Sequence, residues 1–411
     1  MPFQSQSNGY IAYKVQSGLG SQATGGSARI LRNAGGQGGR LTKATTQSNE
    51  VRRDGMMSRG RHGIQKTGGT YTSELSLGLA DDILQAVMRG TWSSADMQVT
   101  QSDFTSITTG ANTIVLDSGS PISLGFRVGD VIRLTNHAST GNNSRNLRVT
   151  ALDATTITVA ETLTVNATPD TACEITRTGR TLINPAAGSL VERYFTIEEA
   201  DLDIDGSEVF TDAKWGTLKF AMQPNGIITL DTTWVGTGQF ETVADSSAPF
   251  FTSPTEPTGV PLSVANATLR VNGEDIVDLT SFDVTLDIGV NAPETFGTAA
   301  SPYSPDVFSG QMSVAINLTA LRQDLQRVQD FADETVYSLQ MLAVENEAEP
   351  KDFVSLYIGN FTLGGVDKSA LNKAGGPRTQ TISIPAALVG LDDHGSGFDP
   401  VMARFQVSNA S

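Results

Sequence analysis

The sequence predicts a mainly β protein: two tandem β-sandwich or barrel units, each with one flanking α-helix, and a small antiparallel β-barrel inserted into the first. Three observations predict it. Short segments alternate apolar and polar residues with period two, the mark of half-buried strands. A strand pattern running straight into a helical pattern occurs twice, at an offset of 241 residues. Between the first helix and the strands that follow it lies a stretch with its own close spacing of strands and turns, as in a separate small β domain.

Residues 1–66 hold ten basic side chains and two acidic ones, a balance of +8, among many Gly, Ser, Gln and Asn residues. That composition reads as a flexible arm over residues 1–27 followed by a long loop. TYTSELSLGL then places Tyr71, Leu75 and Leu77 among polar residues, and ADDILQAVMRGTW puts Ile83, Leu84 and Val87 on one helical face behind an acidic first turn. NTIVLDSGS, GFRVGDVIRLTN, NLRVTALDATTITVAETLTV and ACEITRTG supply four to six strands of the inserted barrel. An insert whose ends lie close together leaves the host core intact. LKFAMQPNGIITLDTTWVG reads as a hairpin turning at Pro224-Asn225-Gly226.

SSAPFFTSPTEPTGVP, residues 246–261, is a Pro/Ser/Thr linker. SFDVTLDIGV sets Phe282, Val284, Leu286 and Ile288 against Asp283, Thr285 and Asp287, and LRQDLQRVQDFADETV spaces Leu321, Leu325 and Val328 as a second helix. Laid against itself at the offset of 241, the chain matches Leu75 with Ile316, Leu77 with Leu318, Leu84 with Leu325 and Val87 with Val328. The expected organisation is an arm (1–27), a first unit (28–99 and 180–245), the insert (100–179), the linker, and a second unit with a C-terminal tail (262–411).

The single cysteine, Cys173, excludes an internal disulfide framework and any multi-cysteine metal centre. No apolar run approaches the ~18 residues of a membrane span, and MPFQSQSNGYIAYK lacks a signal-peptide pattern, so a soluble protein made without export is expected. The net charge of −16 argues against simple nucleic-acid binding, yet it is the sum of +8 in residues 1–66 and −24 in the remainder.

Little in the chain points to catalysis. His62, His137 and His394 are far apart, each within a Gly/Ser/Asn-rich stretch, with no metal spacing or nucleophile partner. The glycine-rich stretches lack the Gly-Lys-Ser/Thr ending of a phosphate loop. DLDIDGSEVFTD offers Asp201, Asp203, Asp205 and Asp212 as a weak calcium-loop candidate, but Asp212 is one methylene short of the usual glutamate and no helix flanks the segment. No cofactor and no enzymatic activity are expected.

GGTYTSELSLGLADDILQAVMRGTW, KWGTLKFAMQPNGIITLDTTWVG and ATLRVNGEDIVDLTSFDVTLDIGVNAPETFG leading into SGQMSVAINLT together resemble the major tail tube proteins of long-tailed bacteriophages, across residues 28–92 and 180–390. The resemblance implies tube units whose strands join those of neighbouring subunits around a channel, in rings that stack to conduct the genome within the virion tail after assembly in the host cytoplasm, with the inserted barrel projecting outward from the tube wall. Its implied partners are further copies of the chain, the tape measure and other tail proteins, with DNA passing through the lumen without tight binding and no membrane involved. A fused pair of units makes a trimeric ring with pseudo-sixfold symmetry the preferred expectation, a hexamer the alternative. Asp283 and Asp287 become candidates for an acidic lumen, and Arg40, Arg52, Arg53, Arg59 and Arg61 for subunit contacts through opposite charge. The alternative class is another β-sandwich virion or surface-appendage subunit: a capsid, baseplate or adhesin component.

Overall fold

The computed structural model describes residues 3–94, 96–296, 302–346, 348–373 and 375–408; the remaining positions of the arm and the two units lie outside the described residues. The chain opens with β1 (Gly9–Val15), β2 (Arg29–Leu31), β3 (Gly35–Thr46), β4 (Arg61–Glu74) and α1 (Asp81–Met88). The insert, which begins with β5 (Met97–Val99) rather than at the expected residue 100, adds β6 (Ile107–Thr109), β7 (Thr113–Leu116), β8 (Val131–Thr135), β9 (Leu147–Leu152), β10 (Thr156–Val159), β11 (Asn166–Asp170) and β12 (Glu174–Arg177), which pairs with β5. Then follow β13 (Arg180–Ile183), β14 (Phe195–Asp201), β15 (Gly206–Met222), β16 (Thr229–Gly236), β17 (Phe240–Ala244), β18 (Ala267–Val271), β19 (Glu274–Asp275), β20 (Leu279–Asp287) and β21 (Ser313–Leu321). The chain closes with α2 (Gln326–Ala332), β22 (Val336–Val344), β23 (Phe353–Thr362), β24 (Gly365–Lys368), β25 (Thr379–Ile384) and β26 (Arg404–Val407). No helix among the described residues is long and apolar enough to cross a membrane.

One pairing order is built twice. In the first unit β2, β1, β14 and β15 lie side by side, and β15 continues into a second set with β16, β4 and β3. In the second unit β19, β18, β22 and β23 repeat the first set, and β24, β25, β21 and β20 repeat the second. The 17-residue β15 serves both sets, whereas its counterpart is divided into β23 and β24. The two units then join edge to edge: β15 pairs antiparallel with β20 from Thr217↔Asp287 to Met222↔Phe282. The result is a continuous run β3-β4-β16-β15-β20-β21-β25-β24, free at β3 and at β24.

This run packs its apolar face against a second sheet, β13-β26-β23-β22-β18-β19, with Phe220 and Phe405 in ring contact across the interface. The chain's C-terminal β26 thereby holds β13, which precedes β14 in the first unit, within the sheet of the second. Tyr13, Tyr71, Phe195, Trp215 and Trp234 form an aromatic cluster under β15, every member at most 1% exposed. Replacing Trp215 by alanine is expected to destabilise the fold by about 3–5 kcal/mol, read as a fall in thermal midpoint.

Several sequence expectations change here. Much of residues 9–66 is strand rather than flexible arm and loop: β1 pairs with both β14 and β2, and β3 and β4 form a long two-stranded ribbon. The ribbon's glycines permit close approach instead of flexibility. A Cβ on Gly69 would lie 2.5 Å from the Gly38 carbonyl oxygen, and one on Gly39 would lie 2.6 Å from the Phe210 ring.

The first helix forms as expected, with Asp81 and Asp82 in its first turn and Ile83, Leu84 and Val87 buried. In the second, Leu321 belongs to β21 and Leu325 precedes the first turn, 66% exposed. Asp324 accepts the Gln326 N–H at 2.9 Å there, fixing the start of α2. Helix starts therefore differ by 326 − 81 = 245 residues rather than 241. A shift of four preserves the period-two faces, which is why the shorter offset still aligned apolar residues.

The insert does not close into a barrel. Its eight strands form an open path from β11 to β5 that curls around one core containing Ile114, Phe126, Leu134, Val149 and Ile175. Pro169 within β11 has no N–H to donate, and β11 pairs with β6 alone. The insert also does more than project. It seats on the outward side of the second sheet, where Gln340 donates to the Gly129 carbonyl at 2.9 Å, Gln406 bridges the backbone of Val131 at 2.8 and 2.7 Å, and Arg404 pairs with the buried Asp130. Arg148 adds a bidentate pair to Asp275 at 2.7 and 2.9 Å. The layers thus run from the polar face of the long sheet, through the sandwich core and the second sheet, to the insert.

Candidate functional site

The side of the long sheet turned away from the core is polar because each strand alternates. In β16, Leu230, Thr232 and Trp234 are buried while Thr229, Asp231 and Thr233 face the other way. In β20, Phe282, Val284 and Leu286 go inward and Asp283, Thr285 and Asp287 outward. The pairing of β15 with β20 brings these two sets onto one surface with Thr217, Lys219 and Ala221 between them.

Hydroxyl and amide donors hold its carboxylates across strands. Thr72 Oγ1 donates to Asp231 at 2.6 Å, Thr217 Oγ1 to Asp287 at 3.3 Å, and Asn317 Nδ2 to Asp283 at 3.1 Å. Lys219 Nζ lies 3.6 Å from Asp283. By strand register this face carries Glu74, Asp231, Asp283, Asp287 and Asp367 against Arg40, Lys66 and Lys219, so 3 − 5 = −2 per chain. It is a hydroxyl-rich surface of mild negative charge. Asp283 and Asp287 share it as their alternation implied. Asp231, Asp367 and Glu74 were missed: the alternation in TLDTTWVG carried the signal for Asp231, but the pairings that place it near Asp283 were not readable.

The basic candidates gather on a different feature. Arg40 lies in β3 and Arg61 in β4, while Arg52, Arg53 and Arg59 lie in the connection 47–60 at the ribbon's end. Four paired positions, from Thr42↔Lys66 to Thr46↔Arg61, extend the ribbon beyond the last β4–β16 pair, Thr67↔Gly236. Arg52 holds Asp54 at 2.6 Å; Arg40, Arg53, Arg59 and Arg61 have no acidic partner among the described residues. Glu199 anchors the ribbon's base by accepting the Tyr71 hydroxyl at 2.7 Å and the Gly39 N–H. Burial raises the Glu199 carboxyl above its ordinary pKa despite those donors.

The calcium-loop candidates do not converge on one point. Asp201 ends β14, residues 202–205 form the turn between β14 and β15, and Asp212 lies within β15. Asp203 instead accepts Ser5 N and Asn8 Nδ2 at 2.7 and 2.5 Å, and Asp212 accepts Gly20 N at 2.8 Å, so both carboxylates hold the N-terminal segment in place. Among the described residues no group of three or more His, Cys, Asp or Glu side chains is placed to hold a metal ion. His62 lies in β4 rather than a loop, and His394 Nδ1 sits 2.7 Å from Asp392. Cys173 is buried, and burial raises its thiol pKa to about 12, away from nucleophilic reactivity.

No curated protein matches the chain. A family model described as phage tail tube protein matches residues 6–386, which takes in both units, the insert and the seam between the units. The chain belongs to the phage tail tube protein family, and is a structural component of the virion tail.

Proposed function

We propose that three chains close into a ring and that rings stack into a tube whose lumen is lined by the polar face of the long sheet. The observation that carries this is the seam inside the chain. β15 pairs with β20, and the repeated pairing order makes β24 the counterpart of β15 and β3 the counterpart of β20. The two free edges of one chain are therefore related as the two joined edges are. β24 of one chain against β3 of the next repeats the seam and removes the exposed edges.

Eight strands per chain and three chains make 24 strands, a wall about 37 Å across between backbones at about 4.8 Å per strand before tilt. That leaves room for one duplex inside a lining of side chains. Six chains would double the width to roughly 73 Å at the same strand spacing. The mild negative charge and dense hydroxyls suit a conduit that DNA crosses without being held, and the insert, on the far side of the second sheet, faces outward. The role is structural and uses no catalytic group.

Electron micrographs of the purified protein test the reading: hollow tubes support it, and a protein that stays monomeric at high concentration rejects it. Charge reversal tests the lumen. Changing Asp231, Asp283 and Asp287 to Lys moves the face from −2 to +4 per chain. Such tubes are expected to assemble and to carry DNA fragments into the pellet on sedimentation, in a salt-sensitive manner. Wild-type tubes leave the DNA in the supernatant.

A further inference from the structure

The two ends of the long sheet differ in a complementary way. Thr67 of β4 lies opposite Gly236 and Glu74 opposite Thr229, so the ribbon leaves the sheet at one end while the β15–β16 turn lies at the other. At the ribbon's end the connection 47–60 exposes Val51, Met56 and Met57 by 99%, 69% and 79%, beside Arg52, Arg53 and Arg59. Exposed apolar side chains clustered at the end of an ordered projection mark a contact site, and methionine adapts its shape to the surface it meets.

At the other end an open cleft of about 420 Å³ lies between the β15–β16 turn and the β18–β20 segment, lined by Met222, Val264, Ile276, Val277, Leu279 and Phe282. Val277 at its mouth is 92% exposed. Glu274 and Asp278 stand beside it, and neither has a cationic partner within salt-bridge distance among the described residues.

We propose that the ribbon tip of each chain seats in this cleft on a chain of the adjacent ring, with Met56 and Met57 against its apolar lining and Arg52 and Arg53 facing Glu274 and Asp278. The occupant is a second copy of this chain, on three grounds. Charge and apolar character are matched between the tip and the cleft. The two features lie at opposite ends of the same sheet, as head-to-tail stacking requires. Their number matches among the described residues as well, because both described ends of the second unit's equivalent connection, between β20 and β21, are tied to their own chain: Asn291 bridges Phe308, and Gln65 N donates to Pro302 O at 2.8 Å. Among the described residues each chain thus offers one such ribbon tip to this cleft.

This inference rests on the stacked-ring reading, and its test separates the two. Tubes are assembled under reducing conditions from the full-length variant carrying Met57→Cys and Val277→Cys, then oxidised. A ladder of disulfide-linked chains on non-reducing gels, absent from either single variant, is the expected result. In parallel, Glu274→Lys with Asp278→Lys is expected to leave rings that no longer stack, and adding Arg52→Glu with Arg53→Glu to restore at least half of the tube yield. Tubes that form but give no ladder, or charge-reversed chains that stack like wild type, overturn the tip-to-cleft contact. Wild-type protein that forms no rings overturns the stacked-ring reading itself.

Discussion

Placing proline at Val366 and Lys368 is expected to leave a folded chain that no longer closes into rings. The reason lies in which backbone groups β24 already uses. Ser369 N donates to Thr379 O at 2.9 Å, continuing the register Asp367↔Thr381 and Gly365↔Ser383. In an antiparallel pair hydrogen-bonded and non-hydrogen-bonded positions alternate. Residues 365 and 367 therefore spend their backbone groups on β25, and the N–H groups of Val366 and Lys368 point to the open edge.

Proline at those two positions removes edge donors without breaking the β24–β25 ladder, as edge prolines do elsewhere. Each carbonyl left without its partner in a buried seam costs ~1–3 kcal/mol, so two raise the concentration needed for ring formation by at least about thirtyfold. Sedimentation velocity reads ring formation, and an unchanged far-UV spectrum confirms that the monomer remains folded. Rings forming at wild-type concentration would assign the seam to other edges.

Excision of the ribbon tip is expected to have the second large effect. Residues 47–60, replaced by Asn-Gly, leave the pair Thr46↔Arg61 closed by a two-residue turn. The tip buries nothing in its own chain, so the monomer should change in stability by no more than about 0.5 kcal/mol, the usual range for surface changes. Rings should form and tubes should not, because the basic, methionine-bearing projection between layers is gone. Electron micrographs separate single rings from stacked ones, and full-length tubes from this variant would refute the role given to the tip. Removing all of residues 1–66, the cut that charge alone suggests, is a poorer experiment. It takes away β1 and β3 together with the core residues Tyr13 and Leu31, and would unfold the first unit.

Particular residues show what was legible before the fold. Period-two alternation located β16, β20 and β21 because each buries one face, and the turn at Pro224-Asn225-Gly226 announced the β15–β16 hairpin. The face of α1 was readable because Ile83, Leu84 and Val87 meet a core. α2 was misplaced because it buries so little: Val328 and Phe331 are 39% and 42% exposed, so its apolar residues report no inward face.

The glycine-rich ribbon misled for another reason. Composition registers the absence of a side chain but not the backbone or ring that needs the space, such as Phe210 against Gly39. Asp231 and Asp283 lie 52 residues apart and come together only through β15, a long-range pairing that local pattern does not carry. The charge division was visible as numbers, while its placement on a projecting ribbon was not.

End-on class averages of assembled tubes test the central claim most directly, since they count chains and measure the wall at once. Three outward lobes per layer, one insert for each chain, around a wall about 37 Å across between backbones is the expected result, following from 24 strands at about 4.8 Å each. Six lobes per layer around a wall of roughly twice that width would contradict it.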